Sequence, residues 1–144
     1  MIGIFDSGIG GLTVVRAIMD QLPGYDMIYF GDTARTPYGT KSSRTVIDYS
    51  LENTEFLIQK KKKIIIMACN TASSVATEEV RRHFNLPIVE VITPAVQLAL
   101  ETTRKYAIGV IGTRATIKRE IYEKKIKEKT PAARVHSTAC PLLV

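Results

Sequence analysis

The chain has 144 residues, 45% hydrophobic and 24% charged, with a formal net charge of +6. That length allows one core of ordinary size, since domains commonly run about 100–150 residues, and excludes two full domains. Two cysteines, Cys69 and Cys140, fit neither a zinc cluster nor a disulfide scaffold, no leader opens the chain, and no apolar run approaches the roughly 20 residues of a membrane span; a soluble cytoplasmic protein is expected.

Met1 to Phe5 predicts a short strand, after which Leu12, Val15, Ile18, Met19 and Leu22 recur at helical spacing up to the breaker Pro23-Gly24. Between them lies Asp6-Ser7-Gly8-Ile9-Gly10-Gly11, whose glycines let backbone N–H groups approach an anion. A dinucleotide loop is one reading, but its third glycine would fall on Thr13, and Asp6 would set a negative charge beside a pyrophosphate. A plain turn is equally open. An acid, a hydroxyl and free N–H groups suit a zwitterion better, the carboxylate taking its ammonium and the amides its carboxylate.

Met27 to Phe30 predicts the second strand, followed by a polar loop through Gly39 and a helix with Ile47, Leu51, Thr54 and Ile58 on one face. On its residues alone, Pro37-Tyr38-Gly39 reads as an ordinary turn. Lys63 to Met67 is the third strand, and it runs straight into Ala68-Cys69-Asn70-Thr71-Ala72-Ser73. A thiol at a helix N-terminus meets unpaired N–H groups and the positive end of the macrodipole, which favour the thiolate. Most unpaired cysteines are small buried hydrophobes instead. Asn70, Thr71 and Ser73 favour the reactive reading, because polar side chains after a buried strand are costly unless they cap, bind or face a cleft. The helix itself carries Ala72, Ala76, Val80 and Phe84 on one side, with Glu78 and Arg82 spaced for an exposed pair.

Pro87 to Val91 is a fourth strand, and Thr93-Pro94 has the form of an N-cap followed by proline at the first helical position. A strand at Tyr106 to Ile111, a helix from about Thr116 to Lys129 and a further strand from Arg134 follow. Thr113 and Thr116 flank that helix start, where capping is the default role. Glu120 with Lys124 and Glu123 with Lys127 describe a solvated helix face, not a phosphate-tracking groove. With no Trp and no nucleic-acid signature, a small anionic substrate is the better match to the basic charge. His83 and His136 have no ligand-spaced partner, so no metal site is expected.

Alternation of this kind predicts an α/β fold, an open and mostly parallel sheet with helices on both faces. Residues 1–92 are expected to form most of a first α/β domain and 93–144 the beginning of a second, interrupted at the apolar Pro141-Leu142-Leu143-Val144. Ligands of open sheets bind beyond the carboxyl ends of the strands. Asp6-Ser7, Gly31-Asp32-Thr33, Cys69-Asn70-Thr71 and Gly112-Thr113 all fall there.

Four segments, Asp6-Ser7-Gly8-Ile9-Gly10-Gly11-Leu12-Thr13, Gly31 to Gly39, Ala68 to Ser73 and Ile111-Gly112-Thr113-Arg114-Ala115-Thr116, together closely resemble the aspartate/glutamate racemase family along the whole chain. Pro37-Tyr38-Gly39 and Gly112-Thr113 favour the glutamate branch. The resemblance implies cofactor-independent interconversion of L- and D-glutamate, feeding peptidoglycan synthesis, by two cysteines on opposite faces of the substrate. It casts Cys69 as one of the two bases and Asp6 as the acid that tunes it or relays its proton. It makes Ser7, Asn70, Thr71 and Thr116 contacts of the substrate's carboxylate and ammonium, with Pro37, Tyr38, Gly39 and Thr113 lining the pocket. The partner it implies is a small molecule, glutamate, with neither nucleic acid nor membrane; a homodimer is compatible with it.

The family's second catalytic cysteine stands in a Gly-Cys-Thr-His setting that this sequence does not contain. Cys140, in Ala139-Cys140-Pro141, resembles a non-catalytic segment instead and is expected to be structural. The chain alone is therefore expected to be inactive as a racemase. A non-catalytic amino-acid or anion-binding module, and an aspartate racemase, are the alternatives. The chain departs from the family pattern at two places: Lys61-Lys62 fill a helix-to-strand turn that usually holds a glycine, and Arg119 replaces a small serine where it could alter the pocket entrance.

Overall fold

In the computed structural model, which describes residues 1–143, strand and helix alternate as β1 (Ile2–Asp6), α1 (Leu12–Gln21), β2 (Met27–Gly31), α2 (Ser43–Gln59), β3 (Ile64–Met67), α3 (Asn70–His83) and β4 (Ile88–Glu90). They continue as α4 (Ile92–Thr102), β5 (Ala107–Gly112), α5 (Arg114–Lys118), α6 (Ile121–Lys129) and β6 (Arg134–Ala139), with short 3-10 turns at Tyr38–Thr40 and Pro141–Leu143. The first four strands form one parallel sheet in the order β2-β1-β3-β4, and β5 pairs in parallel with β6 in a second sheet. The expected α/β class with a parallel sheet is thus observed.

Alternation along β1 decides which helix covers which face. Ile2 and Ile4, with Ala68, pack against Val14, Val15 and Ile18 of α1. Phe5, Ile65 and Met67 turn to the opposite face and meet Val46 and Leu57 of α2 and Ala72, Ala76 and Val80 of α3. Gly3 shares this second face; a Cβ there would lie 2.9 Å from Ile65 Cδ1 and 3.1 Å from Leu57 Cβ, so its absence lets α2 press onto the sheet. Each fully buried Leu or Ile contributes about 1.5–3 kcal/mol. A separate cluster of Ile92, Val96, Val110, Ile126 and Ala133 joins α4 and α6 to the β5-β6 pair. Asp6 is in register with Gly31, and Met67 with both Phe5 and Glu90, so these strands end level and present one common edge.

Several expectations at the level of helices are corrected. Leu12, Met19 and Leu22 of the predicted α1 face are exposed, and Val14 replaces them on the sheet side. The buried face of α2 is Val46, Ser50, Asn53, Thr54 and Leu57, rotated from the predicted stripe because it holds polar residues. Ser50 and Thr54 satisfy their hydroxyls on the carbonyls one turn back, and Asn53 bonds Tyr38. Thr93 lies inside the first turn of α4; the cap is Glu90, whose carboxylate accepts from the N–H groups of Ile92 and Thr93. Glu78 and Arg82 each pair three residues away, with Arg81 and Glu79. The single helix predicted from Thr116 is two, broken at Glu120, whose φ is 54°.

Lys61 holds φ at 58° just after α2, its N–H donating to the Ile58 carbonyl at 2.8 Å, which is a left-handed turn of the kind that favours glycine. Lys61→Gly is expected to stabilise the chain by about 0.5–1 kcal/mol by relieving a Cβ penalty. Urea unfolding checks it; an unchanged or lower midpoint would show that Lys61 is not strained.

Candidate active site

A cavity of about 650 Å³ opens where the level strand ends of the first sheet meet the β5 end of the second. Its walls include Asp6 and Ser7 from beyond β1, Cys69, Asn70 and Thr71 from beyond β3, and Thr113 and Thr116 around the start of α5. Seven of the ten residues expected at the site are therefore brought together. Pro37, Tyr38 and Gly39 are not on the wall; from their loop only Thr36 reaches it.

Cys69 sits at the junction because Ala68 still bonds the sheet, its N–H donating to the Phe5 carbonyl at 2.8 Å, while Ser73 Oγ reaches back to the Met67 carbonyl at 2.9 Å. The turn from strand to helix is thus tied at both ends. Cys69 is the N-cap of α3, with Sγ accepting from the Ala72 N–H at 3.4 Å and its S–H donating to Ser7 Oγ at 3.3 Å. The expected bias toward thiolate does not prevail. Burial pushes the thiol up, contacts with Ser7 and the Ala72 N–H pull it down, the Asp6 charge adds to the rise, and the net direction is upward. The helix terminus is outweighed because Cys69 is only 5% exposed.

The sign of the resulting pH dependence follows directly. A thiol whose folded pKa is raised contributes stability that is complete below its ordinary value of 9.0 and is lost as pH rises toward and through the folded value. The wild-type chain should therefore lose more stability than Cys69→Ser between about pH 8 and 10. Guanidinium unfolding across that range checks this, and parallel curves would contradict it.

Asp6 is buried, and one carboxylate oxygen accepts the N–H groups of Gly8 at 3.2 Å and Gly11 at 3.0 Å. The loop amides expected to hold a ligand's carboxylate are thus, at these two positions, already engaged by Asp6. Gly11 is required here: a Cβ would stand 2.8 Å from Asp6 Cβ and 2.9 Å from Ala68 Cβ. Tyr29, not foreseen, donates to the Gly8 carbonyl at 2.8 Å and lies 3.5 Å from the same Asp6 oxygen. Burial, then the Asp6 charge, raises its phenol to about 12, so it stays a donor. Only a polar hydroxyl in an otherwise apolar strand hinted at this role.

Tyr38 is fully buried and donates to Asp32, while its oxygen accepts from Asn53 Nδ2 at 2.9 Å. Arg35 Nε donates to Asp32 at 2.7 Å and its Nη2 to Asn53 Oδ1 at 2.9 Å. Asp32 therefore supports a buried network behind the cavity and does not line it. The network reaches the site through Gly39, where a Cβ would fall 2.5 Å from Thr113 Cγ2. Thr113 Oγ1 in turn lies 3.1 Å from Thr71 Oγ1 and 3.0 Å from Thr116 Oγ1, and accepts the Thr116 N–H at 3.1 Å. Thr113 both caps α5 and joins the two sheets.

Tyr122 of α6 and Cys140 also line the cavity. Cys140, expected to be structural, thus lies on the wall, and its N–H donates to the Gly112 carbonyl at 2.8 Å. Arg119 lies away from this cavity and lines a second one with Lys41, Arg114 and Lys118, because the helix break at Glu120 ends α5 before it. Among the described residues no group of three or more His, Cys, Asp and Glu side chains could hold a metal, and no helix is long and apolar enough to cross a membrane.

The family model for Asp/Glu/Hydantoin racemase matches residues 5–141. A glutamate racemase of Geobacter metallireducens is 51% identical over 143 residues, covering 99% of this chain and 53% of that protein. The crystal structure of glutamate racemase isoform RacE1 from Bacillus anthracis superposes with a TM-score of 0.96 at 42% identity, over 99% of this chain and 54% of that one. Glutamate racemase from Francisella tularensis, solved in complex with D-glutamate, gives a TM-score of 0.90 at 45% identity, over 98% of this chain and 53% of that one. The chain spans about half the length of the curated relatives it matches. With both its sequence and its backbone matched almost from end to end, the chain belongs to the Asp/Glu/hydantoin racemase family.

Proposed function

We propose that this chain supplies the Cys69 half of a two-base site that interconverts L- and D-glutamate in the cytoplasm, for peptidoglycan synthesis. The observation that carries the reading is one thiol at the N-terminus of α3 opening on a cavity walled by Ser7, Asn70, Thr71, Thr113 and Thr116, with Asp6 beside it. The D-glutamate bound to the Francisella tularensis relative supports the choice of substrate.

Removing an α-proton leaves its bonding pair on Cα and spreads the charge into the carboxylate, which hydroxyl and amide donors are suited to hold. The proton passes to one sulfur, and the thiol on the opposite face delivers another to Cα, inverting it. Burial holds Cys69 as the thiol, so its resting form is the donor; it becomes the base after giving its proton away. Thiols and substrate carry this step without a cofactor. Asp6, fastened by Gly8 and Gly11, serves in this reading to set the charge near the sulfur. Tyr38 and Gly39 act from behind Thr113, with residues 1–92 as the first unit and 93–144 the start of the second.

One observation favours a second reading. The raised thiol of Cys69 also suits a non-catalytic module that binds an amino acid. Incubating the 144-residue chain with L-glutamate, D-glutamate or aspartate and following optical rotation and binding tests both. We expect glutamate to bind in preference to aspartate, without interconversion. Steady racemisation that disappears in Cys69→Ser would overturn the half-site reading, and preference for aspartate would move the chain to the other branch.

A further inference from the structure

Tyr122 is outside every motif that marks the site, yet it crosses from the second sheet's helices to the first. It belongs to α6 and packs in the cluster with Ile92, Val96 and Val110. Its hydroxyl lies 2.5 Å from Asn70 Oδ1, and both residues line the cavity. Asn70 is the first residue of α3, immediately after Cys69.

A phenol hydroxyl has one proton to give, and a carboxamide has one oxygen and two N–H donors. When Tyr122 donates to Oδ1, it takes one of that oxygen's two lone pairs, and turning the amide over would break the bond. The bonded orientation sets the Nδ2 hydrogens away from the phenol, as the donors open to a ligand. We propose that Tyr122 is a positioning residue that fixes the carboxamide of Asn70 with its donor side toward the cavity, selecting a ligand carboxylate over an ammonium at that point. This rests on the glutamate reading above. It assigns Tyr122 no contact with the reacting atoms; the residue acts only through Asn70.

The phenol is kept as a donor over the working pH range. Burial, then the charge of Glu90, raises it to about 12. Glu90 is itself held by the Ile92 and Thr93 N–H groups and stands 3.8 Å from Lys125 Nζ. The position of α6 is thereby tied to the end of β4. Tyr122 couples that docking to the orientation of a side chain beside the thiol.

The test is a double-mutant cycle on the 144-residue chain, with glutamate as the probe and NMR titration as the readout. Tyr122→Phe keeps the ring in its apolar cluster and removes only the donor. We expect a three- to tenfold weaker Kd for glutamate in Tyr122→Phe, a similar loss in Asn70→Ala, and no further loss in the double variant. Additive losses would overturn the proposal, since a residue that merely packs would weaken the chain whatever stands at position 70. A second readout needs no ligand: the side-chain NH2 resonances of Asn70 should shift in Tyr122→Phe while the thermal midpoint moves little. Unchanged Asn70 resonances would overturn it as well. If the wild-type chain binds no glutamate, the functional reading fails, and the Asn70 resonances alone decide the part of Tyr122.

Discussion

Replacing Cys69 by serine is expected to lower α-hydrogen exchange on glutamate by about 10³-fold, the range over which a positioned acid or base acts. A serine hydroxyl at this point is too weak an acid to ionise, and too weak a base as the neutral group, to exchange a proton with Cα. The substitution is otherwise gentle. Sγ now accepts the Ala72 N–H at 3.4 Å, and serine is a preferred N-cap, so α3 should start as before. Ser7 Oγ, 3.3 Å from the sulfur, remains as a hydrogen-bond partner. Activity and stability should therefore part: exchange collapses while the unfolding midpoint near neutral pH is kept. Proton NMR of glutamate in D2O and a guanidinium titration read the two together. A variant that keeps exchange within tenfold of wild type would remove Cys69 from the chemistry.

The second large effect is expected at Asp32, which the cavity never touches. Asp32→Ala should cost about 3 kcal/mol, because it strips a buried carboxylate from two donors at once. Arg35 Nε loses its 2.7 Å partner, and the buried hydroxyl of Tyr38 loses its acceptor. Arg35 keeps Glu52 and Asn53, so the guanidinium is not left bare; the phenol keeps Asn53 as a donor to its oxygen, but its own O–H is left without an acceptor. Among the described residues no buried side-chain nitrogen or oxygen lacks a partner, so nothing nearby is idle and ready to replace the carboxylate. Asp32→Asn, which retains an acceptor, should cost less than half as much. Because Tyr38 leads directly into Gly39, which packs against Thr113, the loss should also weaken glutamate binding. Chemical denaturation and glutamate titration check both effects. A change below about 1 kcal/mol would mean that the network does not hold the loop.

How much of this was legible in the chain depended on whether a residue's role is local. The strand order of events, from Ile2 through Ala139, followed from apolar runs and breakers, and the parallel sheet from their alternation with helices. Cys69 could be placed at a strand-to-helix junction because Ile64-Ile65-Ile66 and Asn70-Thr71-Ala72-Ser73 meet there. The face of α2 could not, since Ser50 and Asn53 are polar and are buried only because Val46 and Tyr38 satisfy them. Thr93-Pro94 carried a sound local cap signal that lost to Glu90, whose carboxylate reaches two N–H groups of the same turn. The partners of Tyr29 and Tyr122 could not be read for a different reason. Each bonds a residue 21 or more positions away, Gly8 and Asn70 respectively, and no periodicity or spacing encodes such a pairing. The ionisation of Cys69 was misjudged on similar grounds: the helix terminus is local and readable, while its burial is a product of the whole fold.

The claim that Cys69 acts from one face of the substrate is tested most directly by deuterium entry at Cα when the 144-residue chain is incubated separately with L- and D-glutamate in D2O. One enantiomer should exchange slowly with retention of configuration and the other not at all. The rate should climb as pH rises past the ordinary thiol value of 9.0, because the base form appears only as the raised thiol ionises. Equal exchange of both enantiomers, or exchange that persists unchanged in Cys69→Ser, would contradict the account.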